Sequence, residues 1–451
     1  MDVKIPSSAS KCSFWDVRVE DSESEAISLN DEDVKNIVNN KGRIMSVRVS
    51  VNGKLGFASS TSESVSELFD RAIKLSKQSD SVFQFSNVHR VADNFSSARL
   101  VDPFSVDLKD KVDRIRAINK LTKNVDSVIK TVSGMLKYVK VNSYFLNSSG
   151  SEISQDLLRT LFYFNAVGSK GGDLQKFVFR NMKTKGLEMF TKADPVDISS
   201  SLVRGVKELL SAKKAPGGKM PVVCDSELTG VFFHEAVGHA CEADDLLTDS
   251  TVFKNKLGKV IAPEIITFRD GFLNNDGYGF YKYDDEGVRK DMTTLIDRGV
   301  LSGYLHSLST ASKLKMEPTG NGRAMDASFN PIPRMSNLVL EPGDSSAEEM
   351  IKGVKDGVYA CGFTGGEVSP TDGKFVFGAS RAYLIKNGEI LHPLRDLALS
   401  GDILSTLMHI NAVGKGREYC RGGHCGKEGQ YVPVDEFMPS IRVGEVTVGG
   451  E

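Results

Sequence analysis

The sequence lacks the features that mark several large classes of protein. Its six cysteines in 451 residues are too sparse for a disulfide-stabilised fold. Lysine and arginine (57) nearly balance aspartate and glutamate (59), so the net charge of -2 gives no electrostatic reason to expect nucleic acid or an anionic membrane. No apolar run approaches the roughly 20 residues of a membrane-spanning helix. The N-terminus also lacks the charged-then-apolar profile of a signal peptide, so we expect a cytoplasmic protein.

The length and patterning of the chain predict two domains. A single core rarely exceeds about 250–300 residues. Amphipathic helix patterns and alternating strands are mixed up to residue 210, including a hairpin at 44–57 with an Asn-Gly turn. The small, basic, Pro- and Gly-containing segment 211–220 is typical of a linker. We therefore predict an α+β fold: a mixed N-terminal α+β domain (1–210), the linker (211–220) and a β-rich C-terminal domain (221–451).

The segment VFFHEAVGHACEADD (231–245) carries the most specific chemical pattern. His234 and His239 are five residues apart, one more than in the common zinc-hydrolase pattern H-E-x-x-H. In an ideal helix this spacing separates the two side chains by about 140°, so they could not bind one ion. A π-bulge would bring them together, and Gly238 would remove a side chain where the backbone is distorted. The pattern predicts one bulged metal-binding helix; the alternative is a buried helix with two hydrogen-bonded histidines.

A catalytic zinc site needs a base and a third protein ligand. Glu235, next to the first histidine, is the candidate base that would take a proton from metal-bound water. Local spacing leaves the third ligand open, and the candidates include Glu242, which could instead hydrogen-bond a ligand histidine. The other candidates are Asp244, Asp245 and a thiolate in the glycine-rich segment CRGGHCGKEGQ (420–430).

Two motifs far apart in the chain resemble one protein family. HEAVGHACEAD is similar to the signature of the TldD branch of the TldD/PmbA metalloprotease family, and GHCGKEGQ is similar to that family's C-terminal motif. DDEG, TGNGRA, PIPRMSN and GEVSPTDGKFVF follow between them in the family's order. GKLGFASS and NSSGSEIS resemble its N-terminal domain, so the resemblance covers nearly the whole chain. The PmbA branch lacks the histidine motif, so this chain resembles the catalytic branch.

The resemblance implies a specific set of site residues. It implies Zn²⁺ held by His234, His239 and Cys425, with Glu235 as the general base. Cys420 is outside the shared motif. His424 occupies a position where the family pattern fixes no histidine, and it could donate to an oxyanion or cap the turn. The resemblance also implies a dimer, either a homodimer or a heterodimer with a PmbA-like paralogue.

Two arginines within the resembling motifs are further candidates. Arg323 and Arg334 could hold a carboxylate or carbonyl of the substrate, or they could pair with Asp284 or Asp285. The segment YKYDDEG (281–287) around those aspartates is interpreted as a polar turn, with peptide binding or hydrogen bonding to the metal ligands as the alternative. TGNGRA lacks the strand–loop–helix context of a phosphate loop.

These observations predict a zinc-dependent peptidase that hydrolyses unfolded or unstructured peptides by a glutamate-activated, metal-bound water. The alternative is a non-catalytic peptide-binding or scaffold subunit of a TldD/PmbA-type complex, in which the metal is structural. A structural site has no use for a base at Glu235, which favours the peptidase. We expect a peptide substrate and no nucleic-acid or membrane partner.

Overall fold

The computed structural model describes residues 3–79, 89–420 and 422–450 and is an α+β fold. The strands of its N-terminal half are β1 (Phe14–Asn30), β2 (Asp33–Val51), β3 (Lys54–Ser60), β4 (Ala92–Ser96), β5 (Ile129–Asn147), β6 (Glu152–Lys170) and β7 (Asp173–Lys183). They form one sheet with the order β3-β2-β1-β5-β6-β4, and β7 also pairs with β6. The pairs are antiparallel except for β4, which runs parallel to β6.

Helices cover this sheet and bury its apolar residues. They are α1 (Val65–Ser76), α2 (Leu108–Val125), α3 (Glu188–Thr191) and α4 (Pro195–Ser211), with 3₁₀ turns at Ser7–Lys11 and Pro103–Ser105. The apolar faces of α2 and α4 share a core with β5 and β6, in which Ile115, Leu136, Phe162 and Leu202 are fully buried. This packing stabilises the helices more than their intrinsic propensity does.

The C-terminal half is rich in short strands. They are β8 (Lys213–Lys214), β9 (Gly218–Cys224), β10 (Phe268–Asp270), β11 (Thr293–Asp297), β12 (Val300–Leu301), β13 (Gly322–Arg323), β14 (Ile332–Pro333), β15 (Asn337–Leu340), β16 (Asp356–Cys361), β17 (Gly365–Ser369), β18 (Lys374–Gly378), β19 (Arg381–Lys386), β20 (Glu389–Arg395), β21 (Leu397–Asp402), β22 (Ile410–Val413), β23 (Glu418–Tyr419), β24 (Gly423–Lys427), β25 (Gln430–Met438) and β26 (Ile441–Gly450). One sheet has the order β17-β18-β21-β26-β9-β16-β19-β20-β8, and another has the order β12-β11-β10-β15-β25-β23. β22 pairs with β26 in the first sheet, and β24 pairs with β25.

The helix that carries the predicted metal-binding motif lies between the sheets of the C-terminal half. The helices are α5 (Ser226–Phe233), α6 (Asp244–Leu247), α7 (Leu308–Leu314), α8 (Ala347–Lys352) and α9 (Ile403–Met408). α5 continues into a π-helix (His234–Gly238) and a 3₁₀ turn (His239–Cys241), and it packs against β16 and β25. Phe232, Phe233 and Val237 join the same core as residues of the C-terminal sheets. The residues that carry the chemistry are therefore fixed in a packed interior.

The hairpin predicted from the Asn-Gly turn is confirmed. The β2–β3 hairpin turns at Asn52 and Gly53, which have φ angles of 52° and 76°, as a type I′ turn requires. Ser64 and Glu67 form the capping box that begins α1. The segment 211–220 contains β8 and the start of β9, so part of the predicted linker is paired in a sheet; the division into two domains stays a prediction. Within the described residues, no helix has both the length and the apolar character needed to cross a bilayer.

Candidate metal centre

The two histidines of the motif are brought together by an extra residue in the helix. Asp225 begins α5 by accepting the N–H of Leu228 at 2.8 Å. After Phe233 the chain widens to a π-helix, and the N–H of His239 donates to the carbonyl oxygen of His234, five residues back. The imidazole ring centroids are 5.3 Å apart. The bulged helix predicted from the five-residue spacing is thus present.

Gly238 is required for a reason that the sequence did not reveal. It is the last residue of the π-helix, with φ -58° and ψ -56°. A Cβ added there would lie 2.0 Å from Sδ of Met335, which is fully buried. The prediction that Gly238 removes a side chain from the bulged turn agrees with its position at the end of the π-helix. The residue is small because a core methionine packs against the helix at that point.

A thiol from the far end of the chain completes a cluster with the histidines. His234, His239 and Cys425 each offer one donor atom, and these atoms lie within 4.8 Å of one another. Cys425 Sγ is 3.3 Å from His239 Nε2, although the two residues are 186 positions apart. Cys425 lies on β24, which forms a tight hairpin with β25. The hairpin delivers the sulfur to the side of the π-helix.

Buried carboxylates orient both imidazole rings. Glu436 Oε1 is 3.0 Å from His234 Nδ1, and Glu242 Oε2 is 2.9 Å from His239 Nδ1. A carboxylate only accepts, so each Nδ1 carries the hydrogen. Each Nε2 is then the nitrogen available for a metal, which is the usual arrangement of metal-binding histidines.

Glu242 is itself held by cations. The side chain is fully buried, and its carboxylate lies 3.1 Å from Lys427 Nζ and 3.5 Å from Arg334 Nε. Burial alone would raise the pKa of Glu242, but His239, Lys427 and Arg334 lower it to about 2. The carboxylate is therefore ionised at neutral pH and accepts a hydrogen bond from His239.

The same electrostatics make Cys425 a thiolate. Burial would raise the pKa of this thiol, but His234 and His239 lower it to about 5. Burial would lower the pKa of His239, but Glu242 and Cys425 raise it to about 10. Thiolate is the form of cysteine that binds metals. A metal entering the cluster would displace protons from the imidazoles, as metal binding to such ligands generally does.

Glu235 borders this cluster without being part of its hydrogen-bond network. Its Oε2 lies 3.8 Å from His239 Nε2, and its side chain is 27% exposed. It is the more accessible of the acidic groups around the histidines, since the side chains of Glu242 and Glu436 are 0% and 10% exposed. A carboxylate placed in this way can exchange a proton with a solvent molecule beside the cluster.

The candidate His424 and the neighbouring Cys420, which was not assigned to the site, both lie outside the cluster. His424 precedes Cys425 on β24, so its side chain points to the opposite face of the strand. Its Nε2 lies 3.2 Å from the hydroxyl of Tyr278, and the two rings pack edge to face. Cys420 is buried with Sγ 3.1 Å from the carbonyl oxygen of Ser226. Neither side chain belongs to the group of potential metal donors.

Both predicted arginines are buried and bind main-chain carbonyls. Arg334 donates to the carbonyl oxygens of Cys425 at 2.6 Å and Gln430 at 3.2 Å, in addition to its pair with Glu242. Arg323 donates to the carbonyl oxygen of Met335 and lies over the ring of Tyr281.

The aspartates proposed as partners of these arginines have other partners. Asp284 accepts the N–H of Gly322, and Asp285 accepts the N–H of Ala324, each at 2.8 Å. Pairing of the arginines with these aspartates, one of the two alternatives left open by the sequence, is not observed, because both carboxylates bind the main chain on either side of Arg323.

Two residues of the site were missed by the sequence analysis. Lys427 lies two residues after Cys425 on the same strand, so period-two alternation could have placed its side chain on the same face. Glu436 carries no local signal, because it approaches His234 only through the packing of β25 on α5.

The donor set is suitable for a transition metal of the zinc type. Two imidazole nitrogens and one thiolate are ligands that zinc takes in tetrahedral sites. The three residues leave one of four positions for a non-protein ligand, which distinguishes catalytic from structural zinc sites. The donor set favours zinc without by itself identifying the metal.

Comparisons with known proteins agree over most of the chain. Residues 15–76, 101–210 and 217–450 match the models of PmbA/TldA metallopeptidase domain 1, the central domain and the C-terminal domain. A metalloprotease of Methanocaldococcus jannaschii is 37% identical over 443 residues, covering 95% of each chain. A zinc metalloprotease TldD homolog of Saccharolobus solfataricus is 30% identical, covering 76% of this chain and 77% of its own.

A solved structure shares the fold. TldE from Thermococcus kodakarensis superposes with a TM-score of 0.78, covers 98% of both chains and is 20% identical.

Proposed function

The chain belongs to the PmbA/TldA metallopeptidase family, and we propose that it is a zinc-dependent peptidase that hydrolyses unfolded or unstructured peptides. The proposal rests chiefly on one observation: the donor atoms of His234, His239 and Cys425 converge within 4.8 Å beside the partly exposed carboxylate of Glu235. Zinc is favoured by the nitrogen and sulfur donors and by the name of the Saccharolobus relative.

Each residue of the site has a distinct role in this proposal. His234, His239 and Cys425 would hold the metal, while Glu436 and Glu242 fix the orientation of the histidines. A zinc ion bound there would act as a Lewis acid that acidifies water and polarises a carbonyl group. Glu235 would accept a proton from the attacking water and transfer it to the leaving amine. Arg334 would hold the main chain of Cys425 and the carboxylate of Glu242 in register.

The alternative is a non-catalytic scaffold subunit with a structural metal. A structural zinc site is closed by four protein ligands. Among the described residues, the donor cluster contains three. The partly exposed Glu235 also favours catalysis, because a carboxylate that reaches solvent beside the donor atoms can act on a water molecule there.

The peptide substrate and the oligomeric state are further parts of the proposal. The strand-rich C-terminal half offers sheet edges with which an extended chain could pair. We propose a dimer, formed either with a second copy or with a PmbA-like paralogue. The match in fold to a protein named TldE supports the second arrangement.

Metal analysis combined with a cleavage assay tests the proposal. The purified protein should contain close to one zinc per chain and should cut an unstructured peptide. A chelator should abolish cleavage, and added zinc should restore it. A zinc-loaded protein that binds unstructured peptides but never cuts them, alone or with a PmbA-like partner, would establish the scaffold alternative instead.

A further inference from the structure

A cleft of about 620 Å³ lies where β7 and α4 of the N-terminal half meet the beginning of α5. Its volume is within the range of ordinary ligand-binding pockets, about 300–1,000 Å³. None of the residues assigned to the metal centre above lines it. We name it the α5 cleft.

The α5 cleft is within reach of a peptide bound at the metal centre. Ser226 and Glu227, at the start of α5, line the cleft, and His234 follows the end of that helix. The eight residues of α5 therefore separate the cleft from His234 by about 12 Å along the helix axis. Phe363 and Thr364 also line the cleft and lead directly into β17, which contacts the π-helix. An extended peptide spans about 3.3 Å per residue, so roughly four residues separate the two places.

Part of the lining of the cleft is apolar, and we call this part its floor. Phe177 and Val178 of β7 and Phe363 contribute rings and methyl groups, and Val178 is 38% exposed. Such a surface can pack against the side chains or backbone of a bound peptide. It carries no charge of its own, so the polar residues around it decide which peptides fit.

Four basic side chains surround this floor. Arg180 pairs with Glu227 at 2.9 Å, and Arg381 pairs with Glu208 at 3.2 Å. Lys176 and Arg204 are the other two. Both are exposed, and neither has an ion-pair partner among the described residues.

The acidic side chains of the cleft are largely occupied. The carboxylate of Asp225 accepts the N–H groups of Leu228 and Gly362. Glu227 is paired with Arg180. Neither Asp225 nor Glu418 has an ion-pair partner in the described part of the chain, but only Glu418 is exposed. The exposed, unpaired charges of the cleft are therefore two cations and one anion, and a ligand that supplies one carboxylate would balance them.

We propose that the α5 cleft is a substrate subsite that binds a carboxylate of the peptide, about four residues from the cleaved bond. The inference rests on the proposed peptidase function. Lys176 and Arg204 contact the carboxylate, and the apolar floor contacts the neighbouring residues. The carboxylate belongs either to an Asp or Glu side chain or to the peptide's C-terminus, since both present the same two oxygens.

Binding to a variant that cannot hydrolyse the peptide tests this subsite. Glu235→Gln protein, loaded with zinc, is titrated into three fluorescently labelled unstructured peptides of identical length. The first contains Glu residues and a free C-terminus, the second replaces each Glu by Gln, and the third keeps Glu but has an amidated C-terminus. The same titrations are made with Lys176→Gln/Arg204→Gln and with a matched control, Lys259→Gln/Lys313→Gln, which removes two exposed lysines outside the cleft.

The cleft variant should bind the Glu peptide about five- to tenfold more weakly than the parent, because two partly exposed ion pairs are lost. The control should match the parent, and Lys176→Arg/Arg204→Lys should restore binding. Weaker binding of the Gln peptide assigns the carboxylate to a side chain, and weaker binding of the amidated peptide assigns it to the C-terminus. Equal binding of all three peptides, equal losses in both double variants, or no binding at all would overturn the subsite.

This test separates the subsite from the proposed activity. Failure of the peptidase proposal appears as a lack of cleavage by the parent protein with zinc. The subsite is measured by binding to Glu235→Gln protein, so it can stand or fall independently of turnover.

Discussion

Arg334 and Cys425 are joined by a 2.6 Å hydrogen bond from Nη2 of the guanidinium to the carbonyl oxygen of the cysteine. The Nε of the same guanidinium lies 3.5 Å from Glu242, which in turn binds His239. The buried guanidinium therefore contacts both the main chain of Cys425 and the carboxylate that orients His239. These two potential metal donors are remote from each other in sequence. The geometry of the cluster depends on this connection as much as on the donors themselves.

Replacing Glu242 by Gln should weaken metal binding by about 10- to 100-fold, the usual effect of losing a carboxylate that supports a ligand histidine. The amide can still accept from His239, but it no longer balances Lys427 and Arg334. Competition with a chromophoric chelator measures the affinity. Asp245→Asn is the control, because Asp245 contacts Lys427 at 3.3 Å but is not bonded to a histidine. Equal affinities for the two variants would remove Glu242 from the site.

Cys425→Ala should lose most of the bound metal, whereas Cys420→Ala should retain it. Both thiols are buried, but the Sγ of Cys420 faces the carbonyl of Ser226 instead of the histidines. Metal content per chain checks the difference. In the cobalt-substituted parent we expect a sulfur-to-metal charge-transfer band that is absent from Cys425→Ala. A stoichiometric metal content in that variant, with no such band in the parent, would point to a carboxylate as the third ligand.

Glu235→Gln should keep its metal and lose at least about 100-fold in the rate of peptide hydrolysis, because the amide cannot accept a proton. The side chain touches no carboxylate or thiolate of the cluster at hydrogen-bond distance, so the fold and the metal content should be unchanged. Metal analysis and kcat on the same preparation provide both measurements. Full activity would exclude Glu235 as the base.

Gly238→Ala should destabilise the protein by about 1–3 kcal/mol, the typical cost of overpacking a core. The new methyl group would collide with Met335, whose Sδ lies 2.0 Å from the position of the added carbon. Thermal unfolding checks the loss. The double variant Gly238→Ala/Met335→Ala should lose less than the sum of the two single variants, since the smaller side chain removes the collision. Additive losses would show that the contact is not the reason for the glycine.

Glu20→Gln should alter how stability depends on pH. Burial, with Asp285 and Asp326 nearby, raises the pKa of Glu20 to about 7. The folded state holds this proton more tightly than the unfolded state does. The free energy of unfolding is therefore highest below the unfolded pKa, near 4.5, and falls as pH rises to about 7. The parent should therefore lose about 1–3 kcal/mol more than the variant between these values. Denaturant titrations at pH 4.5 and pH 8 compare them, and parallel curves would contradict the burial of this carboxylate.

Local features of the fold could be read from the sequence because their causes are local. The five-residue spacing of His234 and His239 predicted the π-bulge, since no regular helix places such side chains together. The Asn52-Gly53 turn and the Ser64–Glu67 capping box follow from backbone and side-chain preferences within a few residues. The division between residues 210 and 221 stays a prediction from composition.

The residue patterns alone left the third donor open among several candidates, and Cys425 entered through the family resemblance. Its approach to His239 is made by the β24–β25 hairpin, across 186 positions. Glu436 and Arg334 also reach the site through the packing of segments that are far apart in the sequence.

The sequence by itself therefore determined the local conformations and the types of chemical group available. Only the tertiary structure decided which remote groups meet, why Gly238 must be small, and which arginines bind the main chain instead of Asp284 and Asp285. The physical reason is that a buried ion or polar group must find partners wherever packing brings them, and that requirement leaves no periodic trace along the chain.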